Sequence, residues 1–132
     1  MKKLRKKIVM IVEKTDTGFS AFAEDSPIYT TGKSIGELMD NALEATSLHF
    51  EEEEISVAKD NIKFEIDFKQ FFQYYKILNA KLIAAKIGMN PTLLSQYVKG
   101  HKKPSEAQKD KIVDAIHQIG KELSEINLIF RQ

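Results

Sequence analysis

Ile62, Phe64, Ile66 and Phe68 alternate strictly with Lys63, Glu65, Asp67 and Lys69, so an extended chain here carries one apolar and one charged face. Residues 8–12 instead form an unbroken apolar run, the pattern of a strand buried on both faces. Asp16, Thr17 and Gly18 spell a turn, and residues 19–24 read as a second strand that closes a hairpin. Asp25, Ser26 and Pro27 break that strand before a short third one at residues 28–31. Ser34 and Glu37 then make an S-x-x-E capping box. The helix they open has Ile35, Leu38, Ala42, Ala45 and His49 on one face, widened by Met39 and Leu43. Three strands, a helix and a strand predict an α+β unit, a small antiparallel sheet with one helix on one side.

After Phe68 the apolar period turns from two to helical, which sets a domain boundary between residues 1–68 and 69–132. Residues 70–76 supply a helix with Phe71, Phe72, Tyr74 and Tyr75, aromatic bulk suited to a small helical core. Residues 79–105 read as two short helices about a glycine turn. Gly88 falls where the first apolar run ends and can take φ > 0. Asn90 is a good N-cap, Pro91 stands at N1 where its missing N–H costs nothing, and Gly100 can close the second helix. On that helix Leu94, Tyr97 and Val98 face inward by spacing, while Thr92, Ser95, Gln96 and Lys99 follow i, i+3, i+4, i+7 as one polar stripe. A merely solvated face favours Glu and Lys; short hydroxyls with an amide suit hydrogen bonds to base edges. The second domain is therefore expected to be an all-α helix-turn-helix that offers Thr92, Ser95 and Gln96 to the bases. Asn90, Lys99, His101, Lys102 and Lys103 are placed for phosphate.

Ser105 and Gln108 form another capping box, after which Ile112, Ile116, Ile119, Leu123, Ile126 and Phe130 recur at alternating spacings of four and three. The repeat is too short for a coiled coil. Its early members finish a helical core, but Leu123, Ile126 and Phe130 extend past it and would be exposed in a monomer, so they are read as the contact of a homodimer or higher homo-oligomer.

Composition sharpens this division. Cysteine is absent, which removes disulfides, thiolate metal sites and thiol nucleophiles. A net charge of +1 hides an asymmetry: residues 1–7 carry five positive charges and no negative ones. Residues 8–68 carry four Lys against fourteen Asp and Glu, and residues 69–132 carry eleven Lys and Arg against five acids. A basic half fits phosphate; an acidic half fits a cationic macromolecule, or simply keeps its domain soluble. The opening MKKLRKK is like the basic start of a signal peptide, but the apolar run after it is too short, and no stretch approaches the roughly 20 apolar residues of a membrane span. A cytoplasmic protein without a membrane partner is expected.

Two resemblances add to the reading. Residues 79–105 resemble the helix-turn-helix of the phage-repressor (Xre/Cro-like) family. Ala84 matches the small residue at the helix crossing, Gly88 the turn glycine, Ile83, Ile87 and Leu94 the core, and Gly100-His101-Lys102-Lys103-Pro104-Ser105 the G-x-x-x-P-S exit. Two positions depart from that pattern: Ala80 replaces a glutamine that often binds backbone phosphate, and Pro91 stands where many repressors carry a base-reading side chain. Base contacts then fall to Thr92, Ser95 and Gln96, with Leu93 available to a thymine methyl. Gly18-Phe19-Ser20-Ala21-Phe22-Ala23-Glu24-Asp25-Ser26-Pro27, followed by Gly32-Lys33-Ser34 and a helix carrying Asn41, Ala42, Glu44 and Ala45, resembles the HicB antitoxin domain over about residues 7–68. The family's Leu-Pro-Gly-Cys segment is Ser26-Pro27-Ile28-Tyr29 here, so contacts of that loop do not carry over. The resemblance implies a reduced RNase H-like fold that binds a small basic HicA-like mRNA interferase, with the helix-turn-helix repressing the operon that encodes both. Glu24, Asp25, Glu51, Glu52, Glu53 and Glu54 are the acids that would meet such a toxin. The 51–54 run sits at a helix C-terminus, where acids oppose the macrodipole, so it is either a solvated tail or a patch kept for a cationic partner.

An RNase H-like sheet raises the question of a nuclease, whose two-metal chemistry needs several converging carboxylates. Glu13, Asp16, Glu24 and Asp25 lie near the hairpin, but its turn and strand ends scatter them. His49 reads as a packing residue, His101 as a phosphate neighbour, and His117 sits on the last helix. No pair has zinc spacing and no Ser or His has an evident triad partner. Catalytic residues, metal and cofactor are therefore expected to be none. The alternative to an antitoxin is a solo helix-turn-helix regulator whose N-terminal domain oligomerises or senses a ligand.

Overall fold

The computed structural model describes residues 1–130, with side chains described through Ile126. The chain forms two compact units, Met1–Tyr74 and Tyr75–Gln132. It is mixed α+β, with the strands in the first unit and three of the helices in the second.

The first unit is built on β2 (Ile8–Thr15), which turns through Asp16 and Thr17 into antiparallel β3 (Gly18–Ala23), with Thr15 opposite Gly18 and Met10 opposite Ala23. A two-residue strand β1 (Lys2–Lys3) precedes them. Strand β4 (Tyr29–Gly32) adds antiparallel to β3, and α1 (Ile35–His49) follows. Ser34 accepts from the Glu37 amide at 3.1 Å. The Glu37 carboxylate reaches back past the cap to the Lys33 amide, also 3.1 Å. After α1 come β5 (Ile55–Ser56), a 3-10 turn (Lys59–Asn61) and β6 (Ile62–Ile66).

Strand order is β4-β3-β2-β6, and β6 lies parallel to β2, with Ile8 opposite Ile62 and Val12 opposite Ile66. The sheet is therefore mixed, not antiparallel. The cause is the helix: α1 carries the chain back to the end where β4 began, so β6 runs in the direction of β4, which is also that of β2. Packing under α1 explains the next detail. Leu38 and Ala42 cover Met10, Ala21 and their neighbours, and Thr46, also buried, donates its hydroxyl to the Ala42 carbonyl at 2.7 Å. A Cβ on Gly32 would lie 2.4 Å from the Leu38 amide nitrogen, so only glycine lets the helix start this close to β4.

Other expectations shift. Ile35 and His49 are exposed, and the His49 ring stands perpendicular to that of Phe50, which takes the buried place instead. Fourteen residues of ideal helix drift by about 40° from a 3.5-residue repeat, which swings the two ends of that stripe off the sheet. Strand β2 is fully buried on one face only; Val9 and Ile11 are half-buried. The basic opening segment is tied into the first unit, where β1 pairs in parallel with β5.

The helix α2 (Phe68–Tyr74) belongs with the sheet, not with the helical unit. Where β6 stops, Asp67 still donates its amide to the Val12 carbonyl at 3.1 Å. Beyond it the Gln70 carboxamide replaces a strand: it accepts from the Lys14 amide at 2.9 Å and donates to the Lys14 carbonyl at 2.7 Å. Tyr74 donates to Asp16 at 3.0 Å, and the Lys14 ammonium lies over the Phe19 and Tyr74 rings at 5.1 and 5.2 Å. These bonds move the boundary from Phe68 to Tyr74.

In the second unit, α3 (Ala80–Ile87), α4 (Pro91–Val98) and α5 (Glu106–Phe130) enclose Ile83, Ala84, Met89, Leu94, Tyr97, Ile112 and Ala115. Among the described residues no helix is long and apolar enough to cross a membrane. Replacing Gln70 with Ala leaves two half-buried groups of Lys14 without partners, so the sheet unit should lose about 1–3 kcal/mol in urea unfolding. A loss under about 0.5 kcal/mol would mean that water serves Lys14 equally well.

Candidate nucleic-acid interface

The placement of α4 is set by how two eight-residue helices begin and end. Asn79 caps α3 by accepting from the Leu82 amide at 3.2 Å. Gly88 ends it at φ 68°, ψ 27°, with the Met89 amide bonded to the Ala84 carbonyl at 2.9 Å and the Gly88 amide to Ala85 at 3.4 Å. That is a Schellman turn, whose next residue packs back on the helix. Met89 does so and is buried. Sequence reading missed Met89, although the residue after a helix-ending glycine is where this motif wants an apolar side chain. Asn90 then accepts from the Thr92 amide at 2.8 Å, and Pro91 takes N1.

Leu94 and Tyr97 are buried and Val98 half-buried, which turns the opposite side of α4 outward. Thr92, Gln96 and Lys99 are exposed, and Ser95 and Leu93 are half-buried beside them. The stripe is thus brought together as the spacing required. The Asn90 side-chain oxygen accepts the cap hydrogen bond, so its amide nitrogen is the group left to donate.

The exit loop folds back on the helix end. The Gln96 carbonyl accepts from the amides of His101 at 2.9 Å and Lys102 at 3.3 Å, around Gly100 at φ 78°. His101, Lys102 and Lys103 are exposed there, and cations at a helix C-terminus complement its dipole. Hydrogen-bonding side chains therefore occupy the start and middle of α4, and positive charge its end. Ser105 opens α5 by accepting from the Gln108 amide at 3.2 Å. Along α5 the apolar stripe passes from buried Ile112 to Leu123 and Ile126, which are exposed. The side chain of Phe130 lies outside the described residues.

The acids of the first unit gather at one end of the sheet. The Glu24 amide bonds to the Val9 carbonyl at 3.0 Å, beside the start of β2, and Asp25 follows; both are exposed. Glu51, Glu52, Glu53 and Glu54, also exposed, form the turn after α1 near that same end, with Glu54 at φ 56°. The Lys2 amide donates to the Glu54 carbonyl at 3.2 Å, and the Lys6 ammonium lies 5.7 Å from the Phe50 ring. This end is therefore of mixed sign. The whole first unit carries ten Lys and Arg against fourteen Asp and Glu, a milder excess than residues 8–68 alone suggest.

Glu13 and Asp16 lie toward the hairpin turn, and Glu24 and Asp25 beyond its other end. Among the described residues no three His, Asp or Glu side chains are grouped to hold a metal ion. No protein-family model, characterised protein or solved structure matches the chain.

A Cβ on Gly88 would meet nothing within 4 Å, so substitution there costs backbone strain alone. Gly88→Ala should lower the stability of the helical unit by about 1–2 kcal/mol, and Gly88→Asn by less, because Asn tolerates the left-handed region. Thermal melts of both variants decide this; equal losses would show that φ is not the constraint.

Proposed function

We propose that the protein is the antitoxin of a toxin–antitoxin pair, a cytoplasmic homo-oligomer that represses its own operon by sequence-specific DNA binding and neutralises a small basic HicA-like toxin. The observation that carries the DNA half is α4: a capped helix after a left-handed glycine turn, with Thr92, Ser95 and Gln96 on its outer side. In this reading α4 enters the major groove, Gln96 reads adenine N6 and N7, and Thr92 and Ser95 bond neighbouring edges. Asn90, Lys99, His101, Lys102 and Lys103 hold phosphates. The exposed Leu123 and Ile126 support a dimer contact, which would match a two-fold operator.

The toxin half is supported by the HicB-like hairpin pattern and by the gathering of Glu24, Asp25 and the 51–54 run at one end of the sheet. A second reading, a solo regulator whose first unit oligomerises or senses a ligand, is favoured by the cations at that same end.

Gln96→Ala should weaken operator binding by roughly 1–3 kcal/mol and relax preference at one base pair per half-site. Alanine at Lys99, Lys102 or Lys103 should weaken all sequences alike and flatten the plot of log affinity against log salt by about one unit each. Titrations on single-base operator variants at several salt concentrations separate the two classes; an unchanged preference profile for Gln96→Ala removes it from base readout.

A fragment of residues 1–74 should inhibit the cognate toxin's RNA cleavage while lacking operator binding, and bound toxin should raise its melting temperature. Replacing the 51–54 run with lysine should slow toxin association most at low salt. A folded fragment that leaves the toxin active sinks the antitoxin assignment and leaves the solo regulator.

A further inference from the structure

Ile77, Leu82, Ile83 and Ile119 line a groove of about 230 Å³ between α3, the turn before it and α5. The groove is open within the chain: Ile77 is 85% and Leu82 66% exposed. Two large aliphatic residues so exposed on one groove make a contiguous apolar patch. The same unit also presents a ridge. The α5 stripe that starts at buried Ile112 and passes through half-buried Ile119 emerges as Leu123, 55% exposed, and Ile126, 42% exposed.

An apolar cavity of about 150 Å³ holds a benzene ring, so this groove has room for one large aliphatic side chain. The charges match as well. The α3 helix carries Lys81 and Lys86, while Glu122 and Glu125 flank Leu123. Lys86 and Glu122 pair at 3.7 Å within one chain, so Lys81 and Glu125 are the charges offered to a second copy.

We propose that the α5 tail of each copy, led by Leu123, seats in the Ile77–Leu82–Ile119 groove of a second copy. The inference rests on the reading of α5 as a dimer contact and names its receptor. Tail-to-tail pairing would cover Leu123 and Ile126 but leave Ile77 and Leu82 in water; tail-in-groove docking covers all four. A two-fold axis makes the contact twice, which helps a small tail reach the roughly 800 Å² per partner of a stable interface. Because the groove is partly α3, docking also fixes the two α4 helices relative to each other, and with them the operator half-site spacing.

Sedimentation equilibrium of the full-length protein and of Ile77→Glu, Leu82→Glu and Leu123→Glu tests this, with circular dichroism as the check on folding. All three positions are exposed, so each variant should fold. Wild type should be dimeric at micromolar concentration, and each variant should weaken the dimer roughly tenfold or more. Mixing Leu82→Glu with Leu123→Glu should restore part of the association, because the heterodimer joins one intact tail to one intact groove. Leu82→Glu and Ile77→Glu associating like wild type while Leu123→Glu does not would mean that tails pair with each other: the groove proposal fails and the dimer reading stands. A monomeric wild type overturns both.

Discussion

The first four amides and the last four carbonyls of an α-helix have no partner inside it. In the eight-residue helices α3 and α4 that accounts for every residue. These helices exist through their ends more than through propensity, since helices this short are not stable alone. Asn79, the Gly88 turn, Asn90 and Pro91 are therefore the frame that holds α4 at its angle, with Ala84 and Leu94 packed fully out of water behind it. The outward polar stripe is a consequence of that frame.

Such ends are local, and this is why the helical unit was legible. A cap is written within three or four residues, a Schellman turn within six. Asn90, Pro91, Gly88 and the inward positions Leu94 and Tyr97 could all be read without a partner segment. The first unit was legible only in its elements. The Gln70 carboxamide meets Lys14 across 56 positions of sequence, and no pattern within either segment records it. The parallel setting of β6 against β2, and of β1 against β5, comes from where α1 delivers the chain. Periodicity describes faces, not neighbours.

Charge shows the same limit. Counted by segment, a cationic start and an acidic middle look like separate surfaces. Pairing of β1 with β5 sets Lys2 against the end of the acidic turn. Opposite charges so close cancel beyond a Debye length of about 8 Å at physiological ionic strength. Steering of a cationic partner toward this end then rests on the acids that these cations leave unbalanced. The second unit keeps ten Lys and Arg against five acids, so its field reaches further.

The Gln70 rung has a kinetic meaning. A seven-residue helix has little stability of its own, so α2 keeps its shape only while docked on β2. Its undocking would release Gln70 from Lys14, Tyr74 from Asp16, and the buried rings of Phe68 and Phe72 in one step. The amide proton of Lys14 therefore belongs to two clocks. It sits in the longest strand of the sheet, yet its exchange with solvent follows the opening of α2 and not the unfolding of the strand that carries it.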